Sequence, residues 1–287
     1  MNSQVKELKQ NLAESIRQKL KNLALQRKRP VDEILRYFAI ERFLFRLGIS
    51  NHTSKFFLKG GLMLRVWDNH NHRATMDIDL LASTSNHREN IRAIVEDIAN
   101  ISIEEDAIVF NTDSLVLKES QMGTEYRGLS ARFIAYLTKT RIPIQIDFGF
   151  SDIIVPKAQE ISYPTLLPML APRLMGYTPE TLVAEKLETI VKLGLFNTRM
   201  KDFFDLWTIL CRDELPVESL ALAIKKVFAN RGTKLEFPIA LTESFANDPL
   251  NERRWQTFLK GLGKKEPELN EVIGKLRKKL VPYLNFK

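Results

Sequence analysis

Two aspartates separated by one residue stand in an otherwise apolar stretch of the sequence, RATMDIDLLA. Asp77 and Asp79 would project from the same face of an extended strand, because successive side chains of a strand alternate between its two faces. Two carboxylates held that close repel each other unless a cation lies between them. Mg²⁺ prefers carboxylate and phosphate oxygens, so the pair predicts a metal site for phosphate chemistry. A solvated pair that guards a sheet edge is the alternative that these two residues alone leave open.

A third aspartate and a pair of glycines extend this pattern. Asp147 lies in the apolar run IQIDFGF, and a strand there, placed beside the first, would bring three carboxylates to one sheet edge for two-metal nucleotidyl transfer. Gly60 and Gly61 follow the apolar run KFFLK and precede a helix-forming segment. Glycines at that point let backbone N–H groups approach a phosphate, although a tight turn also explains them. The Walker spacing GxxxxGK[ST] does not occur.

A lysine and an aspartate of the C-terminal half form a second candidate set. In the segment TPETLVAEKLETIVKLG, Thr178 and Pro179 predict the start of a helix and Gly194 predicts its end. Lys186 falls within the apolar arc of this helix, where an ammonium needs an anion or a route to water. A nucleotide phosphate is the functional interpretation, and snorkelling to solvent is the alternative. Asp202 borders the apolar face of the next helix, a position that an ordinary surface aspartate near a helix start also explains.

The elements that must position these residues follow from the spacing of apolar side chains. Helical periodicity covers residues 4–48, interrupted at Pro30, and Gly48 is the predicted stop. A strand, a helix and the Asp-containing strand come next, then a helix over 86–100 and four strands at hairpin-like spacing: DAIVFN, SLVLKES, LSARFIAYLT and RIPIQIDFGF. A proline-marked connection leads to a helical C-terminal half. We therefore predict an α+β fold with a mixed-sheet core, N-terminal helices and a C-terminal helical half. The predicted domains are residues 1–165 and residues 166–287.

The charge of the chain is concentrated at its two ends. The net charge is +8, of which residues 1–29 carry +6 and residues 260–287 carry +5, leaving −3 for the residues between them. Basic ends around a slightly acidic middle suit a protein that binds a polyanion while its own carboxylates hold a cation. Solvated basic helices are the alternative, so charge alone leaves nucleic-acid binding open.

Composition restricts the setting in which the protein is expected to work. The single cysteine, Cys211, excludes an internal disulfide and fits the reducing cytoplasm, which we predict as its location. The polar N-terminus MNSQVKELKQ does not have the pattern of a secretory signal. No apolar run reaches the roughly 18–20 residues that span a bilayer, so no membrane association is expected.

Five segments together resemble the AbiEii/AbiGii family of nucleotidyltransferase toxins, a branch of the polymerase-β-like nucleotidyltransferase fold. They are FFLKGGLMLRVW, RATMDIDLL, IPIQIDFGF, TPETLVAEKLETIV and RMKDFFDLW, and they occur in the family's order over roughly residues 30–260. The combination of KGG…RxTxDID with AEKL…RxKDxxDL carries most of the specificity. The resemblance implies a nucleotidyltransferase-like sheet core, and a C-terminal helical domain that completes the active site.

The resemblance assigns roles to individual residues. The implied metal ligands, for Mg²⁺ or Mn²⁺, are Asp77, Asp79 and Asp147. The implied catalytic residues are Asp79, Lys186 and Asp202. The implied nucleotide-binding residues are Gly60, Gly61, Arg73, Thr75 and Lys186. The wider fold usually has Gly-Ser after its first strand, whereas Leu62 follows Gly61 here, so no hydroxyl assists the phosphate at that point.

The resemblance also implies an activity and partners. It implies the metal-dependent transfer of a nucleoside monophosphate from an NTP to RNA, with the tRNA 3′ end as acceptor, which would block translation. It further implies the toxin half of a toxin–antitoxin or phage-defence pair, with a cognate antitoxin as partner. Three alternatives stay open: the same chemistry on a protein or small-molecule hydroxyl, a phosphotransferase, and a non-catalytic nucleotide- or RNA-binding module.

Overall fold

A computed structural model of the protein describes residues 3–68, 73–121, 127–212 and 214–284. For residues 3–9, 120, 121 and 127 it describes the backbone only.

The chain divides into two compact units. The first comprises Met1–His70, Ala74–Ser151 and Glu160–Gly176, and the second comprises Asn71–Arg73, Asp152–Gln159 and Tyr177–Lys287. The predicted division between 165 and 166 falls inside the first unit, because residues 160–176 add strands to its sheet. The polar stretch NHNH at 69–72, where a turn is expected between the helix-forming segment after Gly61 and the Asp-containing strand, lies outside the described residues.

The first unit contains four helices and seven strands in its described part. The helices are α1 (Ser3–Gln26), α2 (Val31–Ile49), α3 (Gly61–Trp67) and α4 (Arg88–Ala99). The strands are β1 (Phe56–Lys59), β2 (Ile78–Ala82), β3 (Ile108–Gln121), β4 (Arg127–Leu137), β5 (Thr140–Gly149), β6 (Gln159–Ser162) and β7 (Arg173–Gly176).

The strands form one mixed sheet in the order β3-β4-β5-β2-β1-β7-β6. Strands β3, β4 and β5 are antiparallel neighbours, and β2 is antiparallel to β1. The pairs β2–β5 and β1–β7 are parallel. The prediction of an α+β fold with a mixed-sheet core is therefore confirmed.

Helix α2 covers one face of this sheet. Phe43 of α2 packs against Phe110 and Phe133, with ring centroids 5.7 Å apart in each pair. Phe133 stands opposite Ile144 in the ladder between β4 and β5, so Ile144 points toward the helix. Because side chains alternate along β5, Asp147 projects from the opposite face. The packing of the core thus leaves the other face for polar groups.

The structure differs from the predicted elements in β3, in the proline-marked connection and at the end of α2. The runs DAIVFN and SLVLKES belong to the single strand β3, whose register against β4 shifts between Asn111 and Val116. The proline-marked connection contains β6 and β7, strands of four residues that are too short for a clear alternation. Helix α2 ends at Ile49, one residue beyond the predicted stop at Gly48. Gly48 also allows a close approach, because a Cβ there would lie 2.4 Å from the carbonyl oxygen of Arg173.

A buried ion pair on α2 holds the segment between β6 and β7. Glu41 accepts a hydrogen bond from the N–H of Leu166 at 2.7 Å, and Arg42 donates to the carbonyl oxygen of Leu170 at 2.9 Å. The two side chains also pair with each other at 2.8 Å and are almost completely buried. Burial raises the pKa of Glu41 to about 7, although Arg42 and the Leu166 N–H act in the opposite direction.

Glu41→Gln is expected to remove a pH-dependent loss of stability. Because the folded-state pKa of Glu41 is raised from 4.5 to about 7, its stabilisation is complete below the lower value and is lost as the pH rises through the higher one. The shift corresponds to about 3 kcal/mol. Urea unfolding of the wild type and the variant at about pH 4 and about pH 8 measures this effect. Relative to the wild type, the free energy of unfolding of the variant is expected to be higher at about pH 8 than at about pH 4 by that amount. The exposed Glu236→Gln is the control, and an identical pH dependence of wild type and Glu41→Gln would contradict the expectation.

The second unit is helical in its described part. Its helices are α5 (Pro179–Leu193), α6 (Met200–Arg212), α7 (Val217–Asn230), α8 (Glu243–Ala246), α9 (Pro249–Gly261) and α10 (Leu269–Leu280). The predicted signals of α5 are confirmed: the Thr178 side chain accepts from the N–H of Thr181 at 3.4 Å, and Gly194 ends the helix with a φ of 51°. No helix in the described ranges has the length and apolar character needed to cross a membrane.

Candidate active site

The first set of candidate residues lies on strands β2 and β5. Asp79 and Asp147 stand directly opposite each other in the parallel ladder between these strands. Neighbouring strands are about 4.8 Å apart and paired residues face the same side, so both carboxylates project from the face opposite α2. Both residues are half-buried, and the Gln145 amide donates to Asp147 Oδ2 at 2.9 Å. The structure therefore pairs two of the three predicted metal ligands.

Asp77 has a different position from the one that the sequence pattern suggests. Strand β2 begins at Ile78, and Asp77 lies in the bend that precedes it. The sheet ladder therefore fixes the direction of Asp79 but not that of Asp77. The predicted strand was too long at this end, because alternation of residue types continues beyond the last residue that pairs with a neighbour.

The predicted glycine turn is built around Asp79. Gly60 links β1 to α3 with φ 67° and ψ −151°, a conformation open essentially to glycine alone. A Cβ at Gly60 would lie 2.1 Å from Asp79 Oδ2 and 2.7 Å from its Cγ. The Asp79 carboxylate thus occupies the space that a side chain at position 60 would fill. Gly60 is required both by its backbone conformation and by the position of the aspartate.

Gly60→Ala is expected to move Asp79 as well as strain the turn. The backbone strain is worth about 1–3 kcal/mol. If Asp79 has the predicted catalytic role, its displacement lowers activity by about 10²-fold. Gly263→Ala is the matched control, since Gly263 also has a φ of 67° but nothing lies within 4 Å of its added Cβ. Unfolding in urea and the rate of nucleotide transfer measure the two effects. Equal activity of the two variants would show that Gly60 does not position Asp79.

Two further polar residues share a row with the paired aspartates. Lys59 stands opposite Asp79 on β1, and Ser130 stands opposite Asp147 on β4, so both lie on the same face. Lys59 is 7% exposed and Ser130 is 6% exposed. The Ser130 hydroxyl has no hydrogen-bond partner among the residues that the structure describes. Sequence reasoning missed both residues, because only the register between strands brings them beside the aspartates.

The carboxylates of this row fit a hard divalent cation by their chemistry. Two aspartates on paired positions offer oxygen ligands of the kind that Mg²⁺ and Mn²⁺ prefer. The absence of a side chain at position 60 leaves room for the Asp79 carboxylate beside the turn. Within the described ranges, no three His, Cys, Asp or Glu side chains are already grouped as a metal site. The roles of Asp77, Asp79 and Asp147 as metal ligands stay predictions.

The second set of candidate residues forms an ionic network between α5 and α6. Lys186 Nζ lies 2.7 Å from Asp202 Oδ1 and 2.7 Å from Asp205 Oδ2. Arg199 donates to Asp202 at 2.7 Å, and Arg73 donates to both oxygens of Asp205, at 2.7 Å and 2.9 Å. Three cations thus surround two buried carboxylates, and Lys186 belongs to both ion pairs.

The network fixes the charges of its members. Burial alone would lower the pKa of Lys186, but Asp202 and Asp205 reverse this and raise it. Burial alone would raise the pKa of Asp202, but Lys186 and Arg199 lower it to about 2. At neutral pH the lysine is therefore an ammonium and Asp202 is a carboxylate. Such groups supply fixed charge rather than a proton donor or acceptor.

Arg73 and Thr75, two of the predicted nucleotide-binding residues, form hydrogen bonds with side chains of the protein. Arg73 is bound to Asp205, as described above, and the N–H of Thr75 donates to the Tyr37 hydroxyl at 3.0 Å. Their roles toward a nucleotide stay predictions. Asp205 was not selected from the sequence. The spacing of three residues between Asp202 and Asp205 can be read from the sequence. The complete burial of Asp205 and its pairing with two cations cannot.

Comparison with solved structures shows which proteins share this fold. The fold is shared with MenT4, a nucleotidyltransferase toxin from Mycobacterium tuberculosis H37Rv, at a TM-score of 0.52 and 15% identity over 93% of this chain and 97% of that chain. JHP933 from Helicobacter pylori matches with a TM-score of 0.44 and 15% identity over 84% of this chain and 90% of that chain.

The family follows from the sequence itself. The model of the AbiEii family, nucleotidyl transferase toxins of type IV toxin–antitoxin systems, matches residues 42–278. The chain belongs to this family, which confirms the resemblance seen in the sequence motifs. Comparison with curated proteins gives no match.

Proposed function

We propose that this protein transfers a nucleoside monophosphate from an NTP to the 3′ end of an RNA, with tRNA as the expected acceptor, and thereby blocks translation. The observation that carries the proposal is the pairing of Asp79 with Asp147 on the face opposite the α2 core, in a member of a nucleotidyl transferase toxin family. A pair of carboxylates that is fixed by the sheet can bind a divalent ion without rearrangement of the backbone.

The paired aspartates, with Asp77, would hold Mg²⁺ or Mn²⁺. A cation bound there would neutralise phosphate charge and make the attacking hydroxyl more acidic. Asp79 is the residue to which we assign acceptance of the proton from the RNA 3′ hydroxyl. The 3′ oxygen then bonds to the α-phosphorus of the NTP, the bond to the bridging oxygen breaks, and pyrophosphate leaves. Gln145 orients Asp147 through its hydrogen bond to Oδ2.

Lys186 is the residue to which we assign contact with the nucleotide phosphates. Its raised pKa keeps it charged, and Asp202 and Asp205 hold the ammonium in one direction. Two of its three N–H donors face these carboxylates, which leaves one for a phosphate oxygen. Asp202 and Asp205 act in this account by positioning the lysine, and Arg73 and Arg199 add to the positive charge. Gly60 and Gly61 are proposed to present backbone N–H groups to phosphate.

The charge distribution supports a polyanionic acceptor. Residues 1–29 carry a net charge of +6 and residues 260–287 a net charge of +5, whereas the residues between them carry −3. RNA bound through several phosphates is expected to dissociate steeply as salt is added, whereas a small-molecule acceptor would show little dependence. The cytoplasm, where tRNA and NTPs occur together, is the proposed location, and membership of a type IV toxin–antitoxin family supports an antitoxin partner.

Label transfer tests the proposal. The protein is incubated with total tRNA and each of the four NTPs labelled on the α-phosphate, with Mg²⁺ or Mn²⁺, and the RNA is resolved on a denaturing gel. Label is expected in the RNA with at least one NTP. Absence of label in RNA with all four NTPs and both metals would overturn the proposal. Label in the protein or in a small molecule instead would assign the same chemistry to another acceptor.

A further inference from the structure

The loop between α5 and α6 presents an aromatic ring to solvent. Phe196 is 90% exposed, the highest value among the large apolar side chains that the structure describes, and its neighbour Leu195 is 56% exposed. Leu195 and Phe196 are adjacent in the sequence and expose apolar surface together. Contiguous exposed apolar surface marks binding sites, whereas a single exposed apolar residue does not.

The loop holds this ring in place rather than leaving it at a frayed end. Gly194 turns the chain with a φ of 51°. The N–H of Asn197 donates to the Gly194 carbonyl at 3.2 Å, and the Asn197 side chain accepts from the N–H of Arg199 at 2.8 Å. Asn197 itself is completely buried. The polypeptide on both sides of Phe196 is therefore tied to the body of the unit.

Basic residues flank the exposed ring in the sequence, and no acidic residue occurs in the same stretch. From Thr189 to Lys201 the sequence contains three basic residues, Lys192, Arg199 and Lys201, and no Asp or Glu. All three are exposed. A surface for another protein is typically depleted of lysine. An aromatic ring among lysine and arginine side chains is instead the arrangement that binds single-stranded nucleic acid.

The same loop is joined to the lysine proposed to contact phosphate. Arg199 donates to Asp202 through Nε, and Asp202 in turn pairs with Lys186. The Arg199 side chain remains 50% exposed. It therefore belongs to the ionic network and is also accessible at the surface. The exposed ring is thus three residues from a member of that network.

We propose that Phe196 is the platform on which an unpaired base of the acceptor RNA stacks, with Lys192, Arg199 and Lys201 contacting adjacent phosphates. This inference rests on the proposed function and adds the part of the protein that recognises the acceptor. Base stacking on an aromatic side chain tolerates any base, so this surface selects single-stranded RNA ends rather than a sequence. A structured acceptor with a free single-stranded 3′ end satisfies that requirement.

Binding of RNA without catalysis tests the inference. Fluorescence anisotropy measures the Kd of a short labelled single-stranded RNA for the wild type, Phe196→Ala, Phe196→Trp and Leu250→Ala, in the absence of NTP. Phe196→Ala is expected to raise the Kd about tenfold, and Phe196→Trp to stay within about twofold, because the indole ring also stacks. Leu250, which is 58% exposed on α9, controls for the loss of any exposed apolar side chain. Urea unfolding is expected to be the same for all four proteins.

The outcomes separate this inference from the proposed function. If Phe196→Ala binds RNA as the wild type does, the inference is overturned, while label transfer by the wild type would leave the proposed function standing. If the wild type binds RNA through Phe196 but transfers no label, the proposed function fails and the RNA surface stands. If Phe196→Ala keeps its RNA affinity but no longer binds a co-expressed antitoxin, the surface is a protein interface and the inference is wrong.

Discussion

Asp79→Asn is expected to reduce nucleotide transfer by about 10³-fold or more while leaving the fold intact. The change keeps the shape of the side chain but removes the charge that a divalent ion needs and the basicity that a proton acceptor needs. Asp79 is half-buried at a paired position of the sheet, so an amide of the same size fits the same space. The measurement is kcat/KM for label transfer to RNA, with circular dichroism to verify the fold.

The control for this variant is Asp113→Asn. Asp113 is an exposed aspartate of β3 in the same sheet. Its replacement by asparagine is expected to leave the rate of label transfer unchanged. If Asp79→Asn keeps a rate within about tenfold of the wild type, the general-base and metal roles of this residue are both wrong. A loss of activity accompanied by unfolding would be resolved by Asp79→Glu, which keeps the charge.

Asp205→Ala is expected to destabilise the protein by about 3–5 kcal/mol, because it leaves buried cations without their partner. Asp205 is 0% exposed and pairs with Lys186 at 2.7 Å and with Arg73 through both oxygens. Its removal leaves Asp202 as the remaining carboxylate of the described network. Urea unfolding measures the change, and activity is expected to fall as well because Lys186 loses one of the two groups that hold it.

A surface ion pair provides the comparison for Asp205. Glu243 pairs with Arg277 at 3.2 Å with a side chain that is 71% exposed. Its replacement by alanine is expected to cost less than about 1 kcal/mol. A similar cost for the two variants would mean that the buried network does not hold Lys186, and the positioning role given to Asp202 and Asp205 would then fail with it.

The sequence was sufficient for features that depend on local patterns. Thr178, Pro179 and Gly194 marked both ends of α5, because capping and glycine termination act within a few residues. The apolar run IQIDFGF likewise predicted the strand that carries Asp147. The family motifs then connected segments that are far apart in the sequence.

Features that depend on pairing between distant segments were not predictable in the same way. The alignment of Asp79 with Asp147, and of Ser130 and Lys59 with them, comes from strand register, which one sequence does not contain. Asp205 lay within a family motif, yet its burial beside two cations follows from the packing of α6 against α5. Gly48 also has a role that a local helix-end signal does not reveal, since a Cβ there would lie 2.4 Å from the carbonyl oxygen of Arg173 on β7.

The intact mass of the acceptor RNA tests the central claim most directly. Purified tRNA is incubated with unlabelled NTPs, a divalent ion and either the wild type or Asp79→Asn, and its mass is then measured by electrospray. We predict that the wild type adds the mass of one or more nucleoside monophosphates and that Asp79→Asn adds none. An unchanged mass, or a gain of phosphate alone, would contradict nucleotidyl transfer to RNA.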